Sequence, residues 1–315
     1  MNINNCWIIT EGIAGTENQC IAIAEAMGIS YSIKRIGLKF PFNHLSPLIL
    51  KTAPHSHITG IDWDEPAPDM IIASGRKAIP VALNFKDTYK VFVQNPKINL
   101  SHFDLVAIPE HDDVRGDNVI ITRGAPNRIT SDLLNKEKTK IDLSKFPKNK
   151  IAILVGGNSK SHKMPANFAD RLYDQLLPFM RTGDYGFMVS VSRRTPPQIC
   201  DELRNYFDGE NCLFYDGQSA KNPYFAYLSN ADYILVSEDS TSMLSDALTT
   251  GKPTYRLEMD GGSEKFIRLY QSLKRRALLK AFKGDFEKRD YKPLNDAQKI
   301  ADEIKKRFVK SGSTD

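Results

Sequence analysis

The stretch Tyr233–Tyr255, YILVSEDSTSMLSDALTTGKPTY, does most to restrict the fold, because it leaves almost no residues outside a strand, a loop, a helix and a second strand. Tyr233-Ile234-Leu235-Val236 is a short unbroken apolar run with β-branched content, the pattern of a parallel strand buried on both faces. Asp239, Ser240, Thr241 and Ser242 are all N-cap types. Met243, Leu244, Ala247 and Leu248 then form an apolar stripe at helical spacing, and Gly251 followed by Pro253 stops the helix. Such a unit sets free backbone N–H groups and the positive end of a helix dipole at the carboxyl end of a strand, where open α/β sheets bind phosphorylated ligands. Taken alone, the Ser and Asp residues need do no more than cap a helix, so the surroundings decide between a cap and an anion site.

The rest of the chain repeats this logic. Apolar runs at 6–9, 69–73, 89–93, 105–108 and 119–122 read as strands, residues 31–36 suit a further strand, and several of these end in polar or glycine-rich clusters. Residues 37–60 have no clean period and are expected to face solvent or a membrane as loop or helix. Residues 130–150 turn Lys-rich and weakly apolar, the composition of a linker. Alternation then restarts at 151–155, 186–192, 212–215 and 233–236, with helices expected at about 165–180, at 197–206 and from 222. Two runs of alternating strands and helices imply α/β architecture with two doubly wound parallel-sheet domains. The expected division is residues 1–135, a linker at 136–150, a second domain at 151–290, a C-terminal helix at 291–308 and a flexible tail at 309–315.

Composition excludes several classes. The chain has 315 residues, enough for two ordinary domains, and its net charge of +5 is too weak to imply nucleic acid binding. Cys6, Cys20, Cys200 and Cys212 are scattered without metal-ligand spacing, so no metal site is expected and free thiols are. His44, His55, His57, His102 and His162 also lack ligand spacing and are expected at the surface or behind a site. No apolar run reaches the ~18 residues that span a bilayer, and residues 1–30 lack a signal-peptide pattern, so a cytoplasmic protein is expected, with at most peripheral contact at the inner membrane face.

The polar clusters follow strands, and parallel sheets gather such clusters at one edge of each domain, so the two edges can face one interdomain cleft. Arg193, Arg194 and the helix start at Ser240 and Thr241 supply positive potential, and Asp216, Glu238 and Asp246 supply acceptors for hydroxyls. That combination suits a nucleotide diphosphate carrying a sugar. Glu238 and Asp246 would stand about 10 Å apart along the unit, at ~1.5 Å per helical residue. On this reading Ser240, Thr241 and Arg193 hold the diphosphate, Asp246 accepts from the ribose and Glu238 from the sugar, while Asn222 and Tyr224 line the base pocket. A general base comes from the first domain, with His111 and Glu11 as candidates; an ordinary histidine pKa of ~6.5 favours His111.

These residues also carry a family resemblance. The 233–255 unit resembles the donor-binding segment of GT-B glycosyltransferases, whose acidic pair is spaced Glu-x7-Glu, with Asp246 as the second acid here. More specifically, the chain resembles the elongated-mitochondria, or mitochondrial fission, family of GT-B-like proteins. The matching motifs run in order from Gly15-Thr16-Glu17-Asn18-Gln19 through Ser74-Gly75-Arg76, Phe103-Asp104-Leu105 with Pro109-Glu110-His111-Asp112, and Gly124-Ala125-Pro126-Asn127-Arg128. They continue through Gly156-Gly157, Ser192-Arg193-Arg194-Thr195-Pro196, Asp216-Gly217, Asn222-Pro223-Tyr224 and Glu238-Asp239-Ser240, covering residues from about 6 to 260. The first loop departs from the pattern, with Thr10-Glu11-Gly12-Ile13-Ala14 in place of an Asp-Gly-Arg start.

The resemblance implies two Rossmann-like domains facing a cleft, a C-terminal helix that crosses back to the first domain, and metal-independent chemistry without a cofactor. On the donor side it directs attention to Gly156, Gly157, Arg193, Arg194, Thr195, Asp216, Asn222, Tyr224, Glu238, Asp239, Ser240, Thr241 and Asp246. On the acceptor side it points to Gly12, Gly15, Asn18, Gln19, Ser74, Gly75, Arg76, Asn95 and Asn127. The expected function is a nucleotide-sugar-dependent glycosyltransferase acting on a cell-envelope or lipid-linked acceptor. A non-catalytic GT-B-fold scaffold and a GT-B-like nucleotide-sugar epimerase are the alternatives.

Overall fold

The computed structural model describes residues 3–45, 52–218, 221–276 and 278–311, with side chains to 308. The chain divides into two compact units: unit 1 is residues 1–128 with 295–315, and unit 2 is residues 129–294.

Unit 1 begins with β1 (Cys6–Thr10), α1 (Ala14–Met27) and β2 (Ser32–Arg35), then a small antiparallel pair, β3 (Gly37–Leu38) with β4 (Ile58–Thr59). It continues through β5 (Met70–Ser74), α2 (Ala78–Ala82), β6 (Tyr89–Val93), β7 (Leu105–Pro109) and β8 (Val119–Thr122). Its main sheet has the order β2-β1-β5-β6-β7-β8, with every pairing parallel. The order reverses between β1 and β5. Part of the 37–60 segment, residues 46–51, lies outside the described residues, as does 312–315 of the expected tail.

Unit 2 contains α3 (Ser131–Lys138), β9 (Asn149–Val155), β10 (His162–Lys163), α4 (Phe168–Thr182), β11 (Tyr185–Val191), α5 (Pro197–Tyr206) and β12 (Cys212–Tyr215). Then come α6 (Tyr224–Asn230), β13 (Tyr233–Ser237), α7 (Thr241–Thr249), β14 (Thr254–Leu257), β15 (Asp260–Gly261), α8 (Glu264–Arg275) and β16 (Leu279–Ala281). Its sheet runs β12-β11-β9-β13-β14-β16, again wholly parallel. In chain order this is 3-2-1-4-5-6, with the switch point between β9 and β13. The expectation of two doubly wound parallel-sheet domains is met.

The unbroken apolar runs are explained by burial on both sheet faces. In unit 1, Ile8, Met70, Ile72 and Val91 pack towards α1 and the C-terminal helix, while Trp7, Ile9, Ile71 and Phe92 pack towards α2 on the other face. In unit 2, Ile151, Ile153, Val189 and Leu235 meet α4 and α5, and Ala152, Leu154, Ile234 and Val236 meet α6 and α7. Residues 136–150, linker-like in composition, begin inside α3, whose side chains Leu133 and Leu134 join the α6 core. The Lys residues that gave the segment its character lie mostly on its outer surface, which is why a packed helix reads as a linker.

The final helix, α9 (Asp296–Ser311), belongs to unit 1 and buries Ile300, Ala301 and Ile304 against α1 and its sheet. Asp296 fixes where it starts: its carboxylate accepts the backbone N–H groups of Arg123 (3.0 Å) and Gly124 (2.9 Å), in the loop after β8. Lys299 Nζ donates to the carbonyl of Ile121 at 2.6 Å. Burial raises the Asp296 pKa, and the two N–H bonds work against that rise. No described helix is long and apolar enough to cross a membrane. Replacing Asp296 with Ala strands two backbone donors, and is expected to destabilise the protein by about 1–3 kcal/mol in urea unfolding; an unchanged midpoint would show that the cap does not hold α9.

Candidate functional site

The carboxyl ends of β9, β11 and β13 are joined through one buried acid. Asp239 accepts from Ser237 Oγ (2.7 Å), from Gly157 N–H (3.2 Å) and from Arg194 Nη2 (2.7 Å). Ser237 Oγ in turn accepts the Gly156 N–H at 2.6 Å. Thr195 Oγ1 and Ser192 Oγ both donate to the Gly156 carbonyl, the latter at 2.9 Å. The Asp239 side chain is fully buried, whereas that of Arg194 is 45% exposed. The glycines are required for steric reasons: a Cβ on Gly156 would collide with the Asp239 carboxylate, and one on Gly157 with the Arg194 backbone. Gly156, Gly157, Arg194, Thr195 and Asp239 are therefore brought together, as a cross-link at the switch point.

Beside this cross-link lies a cavity of about 230 Å³, lined by Ser192 and Arg193 after β11, Tyr215 and Gly217 at β12, Asn222, Tyr224 of α6 and Met243 of α7. Arg193 is exposed there and forms no ion pair with another described residue, unlike Arg194. At the start of α7, Ser240 Oγ accepts the Met243 N–H at 3.3 Å, a true N-cap. That bond leaves the N–H groups of Thr241 and Ser242 without intrahelical acceptors. Asn222 accepts the Tyr224 N–H (3.0 Å), and Tyr224 donates its hydroxyl to Asp246 at 2.9 Å. Burial pushes Asp246 up to about 7 and, with the neighbouring Asp246, carries the Tyr224 phenol well above its ordinary range. Asp216 lies at the end of β12, where it accepts the Gln218 N–H (2.9 Å) and stands 3.6 Å from Arg204.

Glu238 faces elsewhere. Its Oε1 accepts the Met259 N–H (2.8 Å) and its Oε2 pairs with Arg256, so both carboxylate oxygens are engaged on the β14 side. Tyr270 of α8 donates to the Glu238 carbonyl at 2.6 Å, lies within 3.3 Å of His162 Nε2, and stacks under the Arg256 guanidinium. His162 is 1% exposed, so of the two expected placements it takes the one away from the surface. Sequence spacing did not reveal the group Arg256, Tyr270 and His162, because its members come from three elements. The one usable signal was Arg256 in an otherwise apolar strand.

In unit 1, Glu11 places its carboxylate on Lys77, accepting the backbone N–H at 3.1 Å and pairing with Nζ at 3.3 Å. His111 is buried in a 3₁₀ turn after β7. Ser74 donates to the Val93 carbonyl (3.1 Å), and Gln94 donates to Gln19 at 3.3 Å. Gly12 and Asn18 are exposed and Gly15 half-buried, while Asn127 donates to the Ala125 carbonyl at 3.3 Å. Glu17, within the first quoted motif, makes a two-pronged ion pair with Arg35 (2.8 and 2.9 Å) that lowers its pKa. Among the described residues no group of three or more His, Cys, Asp or Glu side chains gathers as a metal site.

Comparison with known proteins follows the same lines. A family profile described as "Mitochondrial fission ELM1" matches residues 14–308. The chain is 24% identical to the mitochondrial fission protein ELM1 of Arabidopsis thaliana, over 97% of this chain and 91% of that protein. It is 26% identical to an uncharacterized protein of Rickettsia prowazekii, over 96% of this chain and 98% of the other. Among solved structures, a UDP-GlcNAc 2-epimerase of Methanocaldococcus jannaschii aligns with a TM-score of 0.51 at 10% identity, covering 96% of this chain and 99% of that one. At that identity the likeness is one of fold, and the fold is GT-B-like.

Two outcomes test this geometry. Gly157→Ala forces backbone against backbone and is expected to cost about 3 kcal/mol in denaturant unfolding, whereas an unaffected midpoint would show that the loop can move aside. Asp246 carries a folded-state pKa of about 7 against an ordinary 3.8. Between those values the folded protein binds more protons than the unfolded one, so stability falls as pH rises from about 4 to about 7. Asp246→Asn is expected to remove that component of the fall in a series of melting temperatures.

Proposed function

The chain belongs to the mitochondrial fission ELM1 family, and on that premise we propose that unit 2 binds a nucleotide-diphosphate sugar whose sugar is transferred, without a metal ion, to a cell-envelope or lipid-linked acceptor. The observation that carries the proposal is the Arg193 guanidinium, without an ion pair to another described residue, in the lining of a cavity that Met243 of α7 also lines. Arg193 and the N–H groups of Thr241 and Ser242 hold the diphosphate, since a guanidinium fork and a helix N-terminus both favour phosphate oxygens. Tyr215, Tyr224 and Met243 offer a face for the base, and Asp246, buried behind Tyr224, holds that ring through its hydroxyl in place of accepting from the ribose. The Methanocaldococcus jannaschii epimerase, which shares the fold, was solved in complex with UDP-GlcNAc and UDP.

Glu238 takes a different part from the one its spacing suggests. With both oxygens occupied it positions Arg256 and is not available to a sugar hydroxyl. Glu11, one of the two base candidates in unit 1, is held on Lys77. The same engagement of Glu11 and Glu238 supports transfer over epimerisation, which needs carboxylates free to act on the sugar ring.

Calorimetry with UDP, GDP, CDP and their sugars in the presence of EDTA tests the binding half. One nucleotide family is expected to bind, and Arg193→Ala to weaken it about tenfold through loss of a charge-assisted hydrogen bond. Absence of binding at millimolar concentration would contradict the reading.

A further inference from the structure

Unit 1 has a larger cavity that the nucleotide site does not use. It occupies about 430 Å³ at the carboxyl ends of β5 and β6, within the size range of small-molecule sites. Its walls are of two kinds. Ile79, Val93, Pro96 and Ile98 supply an apolar lining, with Ile79 and Val93 each 1% exposed. Arg76 and Lys97 stand at its exposed rim, and neither forms an ion pair with another described residue. The nearby cation that is paired is Lys77, which Glu11 neutralises at 3.3 Å. The cavity therefore joins an apolar interior to two uncompensated positive charges.

The loop that forms this cavity is held in an uncommon conformation. Gln94 and Lys97 have φ angles of +78° and +56°, the left-handed region that side chains rarely adopt. Asn95 Oδ1 accepts the Lys97 N–H at 2.9 Å, and Gln94 is held by its bond to Gln19. These bonds hold Lys97 at the rim while Pro96 and Ile98 line the wall.

We infer that this cavity binds an anionic amphiphile, an alkyl or prenyl chain ending in phosphate or diphosphate, with the chain on Ile79, Val93, Pro96 and Ile98 and the head group between Arg76 and Lys97. A neutral lipid would leave both cations without a counter-charge, and a free phosphate would leave the apolar lining unused. Two cations match a phosphate dianion, and arginine binds phosphate oxygens in a two-pronged manner. Identifying this ligand as the sugar acceptor rests on the proposed transfer reaction; the binding itself does not.

Calorimetry on the full chain uses octyl phosphate below its micelle concentration, with butyl phosphate, octanol and inorganic phosphate as comparisons. Octyl phosphate is expected to bind at least tenfold more tightly than octanol or inorganic phosphate. Butyl phosphate is expected to be intermediate, since each wholly buried methylene contributes about fourfold. Arg76→Gln combined with Lys97→Gln is expected to reduce octyl phosphate to the octanol level, with UDP affinity and melting temperature unchanged. Capture by phosphatidic-acid vesicles that the double variant abolishes would identify a membrane-borne source, and octyl phosphate binding without capture a dissolved one; both support the site. The inference is overturned if octyl phosphate binds no better than inorganic phosphate, or if the double variant binds it as the wild type does. Octyl phosphate binding without any nucleotide binding would remove the nucleotide-sugar reading and leave this one standing.

Discussion

The Asp239 carboxylate is the interaction on which the carboxyl edge of unit 2 depends. It is fully buried, and its partners come from the loops after three strands: Gly157 after β9, Arg194 after β11 and Ser237 at the end of β13. A buried carboxylate is costly unless it is paired and hydrogen-bonded, and here two of the partners that offset the cost, Gly157 and Arg194, are also ties between loops. Gly156 and Gly157 follow from the same constraint, because any side chain there would occupy the space of the carboxylate or of the Arg194 backbone. Two adjacent arginines consequently have different duties. Arg194 is committed to Asp239, and Arg193, one residue earlier, is left to face the cavity.

The same separation of structural from available groups recurs in unit 1. Glu17 takes Arg35 and Glu11 takes Lys77, so the charges at the β5 and β6 ends left without an ion pair among the described residues are Arg76 and Lys97. In each unit a cross-linked loop stands beside a cavity carrying unpaired positive charge. Unit 2 adds a helix start to its cavity, suited to a diphosphate, and unit 1 adds an apolar wall, suited to a chain.

The central strands of both sheets were legible in the sequence because burial on two faces leaves runs such as Ile151–Val155 without polar interruption, whereas the edge strand β16, at the end of a basic stretch, was not. The clusters after the strands were legible as a set for the same reason, since a parallel sheet puts them all at one edge. The division of labour inside those clusters was not. Glu238 and Asp239 are adjacent, yet one turns to Arg256 and the other to Arg194, a choice made by strand register and not by residue type. His162 illustrates the same limit: its neighbours Phe266 and Tyr270 lie about a hundred residues away in the chain. The helix α3 was obscured by the Lys-rich segment it opens, while Leu133 and Leu134 do the packing.

A crystal structure with a bound nucleoside diphosphate tests the central claim most directly. The account predicts diphosphate density between Arg193 and the first turn of α7, with the base over Tyr215, Tyr224 or Met243. Density against Arg256 and Tyr270 instead, or a cavity at Arg193 that stays empty while nucleotide occupies another surface, would contradict it.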